Sequence, residues 1–154
     1  MNDIKKGGIV IIDFGSQYTK LIARRIRENL VFSEILPPDS EINVIMKNSP
    51  AGIILSGGPK SVNDKSSPIV NKALFQGDIP ILGICYGLQL LVKEYGGKIE
   101  SEGNGEYGFT TIDIKDKSTL FTGLDNFSKV WMSHGDRALN VPTGWNLLAE
   151  SSNG

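Results

Sequence analysis

The chain is poor in the residues that usually build metal centres, disulfides and nucleic-acid interfaces. It has one cysteine and one histidine in 154 residues. A lone cysteine excludes an intrachain disulfide and a cysteine-built zinc site. A lone histidine leaves few ligands for any other metal, so no metal site is expected. Charge is balanced, with 16 Lys+Arg against 17 Asp+Glu and a formal net charge of −1. That balance removes the electrostatic footprint of a nucleic-acid binder or of a protein held on an anionic membrane. No apolar run approaches the length of a membrane span. The opening residues Met1–Gly8 lack the apolar core of a signal peptide, so the expected compartment is cytoplasmic. Repeats and low-complexity tracts are also missing, and the length is roughly that of one domain.

What is present is a series of short apolar runs. Ile9–Phe14 is continuous and of strand length, which suits a strand buried on both faces of a parallel sheet. Tyr18 to Asn29 reads as a helix, with Leu21, Ile22, Ile26 and Leu30 on one stripe. Ser33–Leu36 is a second strand, ended by Pro37-Pro38. A short helix follows around Ile42–Met46. Ile53–Ser56 is a third strand, Ile69 to Phe75 the next helix, and Ile81–Ile84 a fourth strand. Strands alternating with helices at this spacing predict an open, doubly wound α/β sheet with helices on both faces. Ligand sites in such sheets lie beyond the carboxyl ends of the strands. Three loops fall there: Gly15-Ser16-Gln17, Ser56-Gly57-Gly58-Pro59 and Gly83-Ile84-Cys85-Tyr86-Gly87. After Gly96-Gly97 the pattern changes. Lys98–Glu102, Tyr107–Ile114, Val130–Met132 and Asn146–Ala149 read as strands, some of them alternating, with Gly103-Asn104-Gly105 as a turn. Antiparallel strands are expected in this last third.

Cys85 stands between two glycines, after a strand and before the helical pattern Leu88–Tyr95. Strand, Gly-x-Cys-x-Gly, helix is the thiol form of a nucleophile elbow. The turn needs small flanking residues and pushes the sulfur out at the strand's end. It also sets the sulfur near a helix N-terminus, whose positive end favours a thiolate. The alternative is a buried structural thiol, since free cysteine is among the most buried residue types. An acylating cysteine needs an oxyanion hole. Tyr86 offers the N–H just after the nucleophile, and the Gly57-Gly58 loop offers a second. Gln89, one helical turn beyond Cys85, is either a substrate amide contact or a solvated helix-face glutamine. A cysteine nucleophile also needs a base. Pairing Cys85 with His134 and Asp136 is one option; the other is a loop histidine with a structural hydrogen bond.

Six strings are together similar to the class I glutamine amidotransferases, and within them to the glutaminase domains of the GMP synthase family. They are Asp13-Phe14-Gly15-Ser16-Gln17-Tyr18-Thr19, Leu21–Arg27, Gly52–Pro59, Leu82–Leu91, Glu106-Tyr107-Gly108 and Val130–Asp136. The resemblance implies a flavodoxin-like sheet and a single amidotransferase domain over 1–154. It implies that Cys85 attacks the side-chain amide of glutamine and forms a thioester. It implies oxyanion N–H groups from Gly58 and Tyr86, and glutamine held by Gln89, Ser133, His134, Gly135 and Asp136. The expected partner is an ATP-pyrophosphatase domain or subunit that activates XMP. ATP and Mg²⁺ belong there, and no cofactor is expected in this chain. The family's base and orienting acid lie in a His-Pro-Glu segment that these residues do not contain. The domain is therefore expected to be C-terminally incomplete and inactive alone, with His134 not the base. Gly105 stands where the family commonly has arginine. Ser56-Gly57-Gly58-Pro59 is not expected to act as a phosphate loop. Two other readings are a binding or regulatory module without turnover and the glutaminase of a different amidotransferase.

Overall fold

The computed structural model describes residues 7–101, 105–117 and 120–152. The chain divides into two units, Met1–Leu91 and Val92–Gly154. In the first, β1 (Ile9–Ile12), β2 (Ser33–Leu36), β3 (Gly52–Leu55) and β4 (Ile81–Gly83) form one sheet in the order β2-β1-β3-β4. All three pairings are parallel, with Ile11 opposite Ile35 and Ile54, and Ile54 opposite Leu82. The four apolar runs thus form the expected parallel sheet. Ile11, Ile12 and Leu55 are fully enclosed, as a strand covered on both faces requires. The strand order reverses between β1 and β3, and the crevice at such a switch point is where open α/β sheets bind ligands.

Helix α1 covers Thr19–Glu28, one residue inside each expected end. Its buried stripe is turned from the expected one. Thr19 and Ala23 are buried, whereas Leu21 and Leu30 are exposed. The helix stops at Glu28, and Leu30 enters the left-handed region at φ 61°, which takes it off the stripe. Helix α2 is the short Ile42–Ile45. The helix expected over Ile69–Phe75 is only a 3₁₀ turn, Lys72–Gln76. Pro68 disfavours helical backbone just before this segment, and the Asn71 side chain caps the turn by accepting from the Ala73 N–H. Helix α3, Tyr86–Glu94, carries the boundary between the two units.

The second unit is antiparallel. Strands β6 (Glu106–Ile114) and β7 (Phe127–His134) form a hairpin, and β9 (Ala149–Ser151) pairs with the other edge of β6. β5 (Ile99–Glu100) pairs with β8 (Arg137–Ala138), where Arg137 and Glu100 form an ion pair at 2.7 Å. The last strand lies further along than Asn146–Ala149. Glu102 and the turn residues Gly103 and Asn104 fall outside the described residues. Among the described residues no helix is long and apolar enough to cross a membrane.

Candidate active site

The elbow has the geometry that its glycines predict. The Ile84 N–H donates to the Leu55 carbonyl at 2.9 Å, so β4 stays attached to β3 up to the turn. Cys85 then takes φ 49°, a left-handed conformation rare for a residue with a side chain. Helix α3 begins at the next residue. The Gly87 N–H reaches the carbonyls of Ser56 and Ile84, each at 3.0 Å. A Cβ on Gly87 would lie 2.1 Å from the Leu55 carbonyl oxygen, and one on Gly83 would lie 2.6 Å from the Leu88 backbone. Both positions therefore demand glycine. The Cys85 thiol is half-buried, and burial pushes its pKa up. Desolvation acts here against the thiolate, the opposite sense to the helix end.

Gly57 lies against Cys85: a Cβ there would be 3.4 Å from the Cys85 Cβ and 3.5 Å from the Ser16 hydroxyl. Gly58 is pressed on the β1 loop, where a Cβ would lie 2.6 Å from the Phe14 carbonyl oxygen. Neither the Gly58 nor the Tyr86 N–H donates a hydrogen bond within the described residues. The Tyr86 ring is buried, packs on Phe14 at 4.8 Å between ring centres, and its hydroxyl donates to the Pro68 carbonyl at 2.6 Å. Gln89 is buried rather than solvated, and its backbone N–H donates to the Cys85 carbonyl at 3.0 Å. Gly58, Cys85, Tyr86 and Gln89 thus gather at one end of the parallel sheet.

The second group of expected residues, Ser133, His134, Gly135 and Asp136, lies in the second unit. His134 is the last residue of β7, opposite Glu106 in the hairpin, and not a loop residue. Its Nδ1 lies 2.8 Å from the Asp136 carbonyl oxygen, an acceptor, so Nδ1 carries a hydrogen and donates. Its Nε2 lies 3.2 Å from the Glu106 carboxylate. Both ring nitrogens are therefore engaged within the second unit. Asp136 is buried, while Ser133 and Gly135 are exposed. Gly105 backs onto this turn: a Cβ there would lie 2.7 Å from the His134 carbonyl oxygen and 2.8 Å from the Tyr107 ring. An arginine at 105 would need this turn to shift.

Sequence reasoning left Asp13, Thr19, Ser56 and Glu106 without roles. Glu106 meets His134 as described. The other three form a polar group in which Thr19 and Ser56 are buried and Asp13 is half-buried. The Phe14 N–H donates to the Ser56 hydroxyl at 3.2 Å, and the Thr19 hydroxyl lies 3.2 Å from that of Ser56. Thr19 donates to the Asp13 carboxylate at 2.8 Å, which also accepts from the Gly15 N–H at 2.9 Å. The only signal in the sequence is that Asp13 and Thr19 bracket the Phe-Gly-Ser-Gln-Tyr string. Among the described residues no group of three or more His, Cys, Asp or Glu side chains could hold a metal ion.

A chain with an elbow thiol beside a glycine loop, at the carboxyl end of a β2-β1-β3-β4 sheet, has relatives among known proteins. The family described as Glutamine amidotransferase class-I matches residues 10–154, and the chain belongs to it. The chain is 47% identical to a GMP synthase (glutamine-hydrolyzing) of Synechocystis over 99% of its own length and 28% of the relative's. It is 48% identical to the GMP synthase of Clostridium tetani, over 95% of this chain and 29% of that one. The chain thus spans less than a third of the curated relatives it matches. Among solved structures it is similar to a protein of Thermoplasma acidophilum assigned as one of the subunits of a GMP synthase. That match has a TM-score of 0.83 and 30% identity, over 94% of this chain and 73% of the other. A glutamine amidotransferase of Thermotoga maritima shares the fold, with a TM-score of 0.74 at 20% identity over 95% and 68% of the two chains.

Proposed function

We propose that this chain is the glutaminase part of a GMP synthase, releasing ammonia from glutamine for the amination of XMP. Cys85 attacks the side-chain amide carbon of glutamine. The carbonyl oxygen takes up the negative charge and is met by the N–H groups of Gly58 and Tyr86. The tetrahedral adduct collapses as the nitrogen takes a proton and leaves as ammonia. Water then attacks the glutamyl thioester, glutamate leaves, and the thiol is restored. Gln89, Ser133, His134, Gly135 and Asp136 hold the glutamine. The observation that carries the reading is the left-handed Cys85 at the strand–helix junction with Gly57 against it. The two N–H groups without acceptors support the oxyanion assignment; one such donor is worth about 10²–10³-fold in turnover.

Burial pushes the Cys85 thiol up, which favours help from a general base in this reading. His134 has both ring nitrogens occupied, which supports placing the base in the family's His-Pro-Glu segment and not here. ATP and Mg²⁺ act in this reading at the ATP-pyrophosphatase partner, in the cytoplasm, and no step at Cys85 uses them. The test is Cys85→Ala in the full-length protein. Glutamine-dependent GMP formation should vanish while formation from added ammonia survives. Equal loss of both would make Cys85 structural. A second check concerns the 154 residues alone, which should hydrolyse glutamine negligibly, since general-base help is worth about 10²–10⁴-fold. Robust hydrolysis that His134→Ala abolishes would make Cys85 and His134 the catalytic pair.

A further inference from the structure

The Asp13–Thr19 string belongs to no step of the mechanism above, yet it makes buried polar contacts with Ser56, the residue before the Gly57-Gly58 loop. Thr19 and Ser56 are 1% and 0% exposed, so their hydroxyls have no water to fall back on. A buried hydroxyl left without a partner costs about 1–3 kcal/mol, so these groups hold one another in register. Ser56 is where three segments meet. Its N–H donates to the Ile12 carbonyl at 3.0 Å and its carbonyl accepts from the elbow's Gly87 N–H at 3.0 Å. Its hydroxyl accepts from the Phe14 N–H at 3.2 Å and lies 3.2 Å from the Thr19 hydroxyl. Thr19 is the first residue of α1, and its hydroxyl is tied to Asp13 at the end of β1. Directly after Ser56 come Gly57, lying against Cys85, and Gly58, lying against the Phe14 carbonyl. Residues 57 and 58 thus follow directly on a residue held by both backbone and hydroxyl contacts, its hydroxyl also lying 3.1 Å from the Gly57 carbonyl oxygen.

We propose that Thr19 is a positioning residue for glutamine hydrolysis, acting through the Ser56 hydroxyl and the Asp13 carboxylate to hold the Gly57-Gly58 loop at its distance from Cys85. Among the described residues the Thr19 hydroxyl bonds to Asp13 and Ser56 and not to the thiol. It rests on the reading of Cys85 as nucleophile and Gly58 as oxyanion donor. An oxyanion donor works only within hydrogen-bond reach of the developing charge. A displacement of about 1 Å at a reacting centre can cost about 10²-fold. Losing the clasp should therefore slow the acylation step without greatly altering ground-state glutamine binding.

The experiment compares Thr19→Val, Thr19→Ser and Ser56→Ala with wild type and Cys85→Ala in the full-length protein. Two rates are read: glutamate release from glutamine, and alkylation of Cys85 by iodoacetamide. Alkylation displaces iodide at a carbon centre and needs no oxyanion donor, so it reports the elbow alone. Thr19→Val should lower kcat for glutamate release about 10–10²-fold, with KM within about threefold and alkylation within about twofold of wild type. Thr19→Ser, which keeps the hydroxyl, should stay within about threefold in kcat. Wild-type kcat in Thr19→Val would overturn the proposal. So would a parallel fall of both rates, which would mean that Thr19 merely supports the fold. If Thr19→Val does not fold, Ser56→Ala must show the same split, and its absence there overturns the proposal too. Failure of the underlying reading looks different: Cys85→Ala would then release glutamate at the wild-type rate.

Discussion

In the first unit Ile11, Ile12 and Leu55 are completely enclosed, whereas along β7 of the second unit burial alternates residue by residue. Phe109 and Trp131 stack edge-to-face at 5.0 Å on one side of the β6–β7 hairpin and remain 79% and 59% exposed. The same chain thus makes one sheet whose central strands are enclosed and one whose long strand alternates between exposed and part-buried residues. The difference bears on chemistry. A strand packed on both faces cannot slide or rotate, so the loops at its end have fixed starting points. The elbow is tied to such a strand, because the Ile84 N–H donates to the carbonyl of the enclosed Leu55. The hairpin holds its functional candidates differently, through a side-chain pair, Glu106 with His134, at its end.

The comparison breaks most visibly at its aromatic residues. Phe14→Ala should destabilise the protein by about 4 kcal/mol, as for a buried aromatic, and Trp131→Ala by about 1 kcal/mol, the worth of an exposed aromatic pair. Urea unfolding of both variants checks this, and equal effects would erase the distinction. Glycine substitutions sharpen it. Gly87→Ala drives a Cβ to 2.1 Å from a backbone oxygen, so a loss of about 3 kcal/mol is expected. Gly144→Ala, at φ 85° with open space around it, should lose about 1 kcal/mol from backbone strain alone.

A smaller effect concerns pH. Burial raises the Cys85 pKa, so alkylation of the folded protein should climb with pH and reach half its plateau above the free-thiol value of about 8.5. The same protein in urea should return to that value. A folded midpoint below the free-thiol value would mean that the helix end wins over desolvation. The linked stability follows the sign: the folded thiol holds its proton more tightly than the unfolded one. Its contribution is complete below the unfolded pKa and disappears as pH rises through the folded value.

The parallel sheet was legible because continuous apolar runs such as Ile9–Ile12 have no other comfortable place than between two covered faces. The elbow was legible because glycines at 83 and 87 flank a residue that must turn sharply. Local pattern failed where tertiary contacts decide. The periodic apolar residues over Ile69–Phe75 do not overcome Pro68 and the Asn71 cap. Leu30 fits the stripe by spacing but leaves it through a left-handed turn. Gln89 could not be sorted into buried or solvated without its neighbours. The Thr19–Ser56 contact joins residues 37 positions apart, and no spacing rule within a single element could reveal it.

The left-handed backbone at Cys85 has a consequence for how this protein trades robustness against activity. A side chain at φ 49° costs about 1–2 kcal/mol that glycine would not incur. Cys85→Gly should therefore raise the midpoint of thermal unfolding while leaving no thiol to acylate. Selection for durability alone would drift toward glycine at this position. With Cys85 as the proposed nucleophile, keeping the cysteine means accepting a slightly weaker fold at that residue.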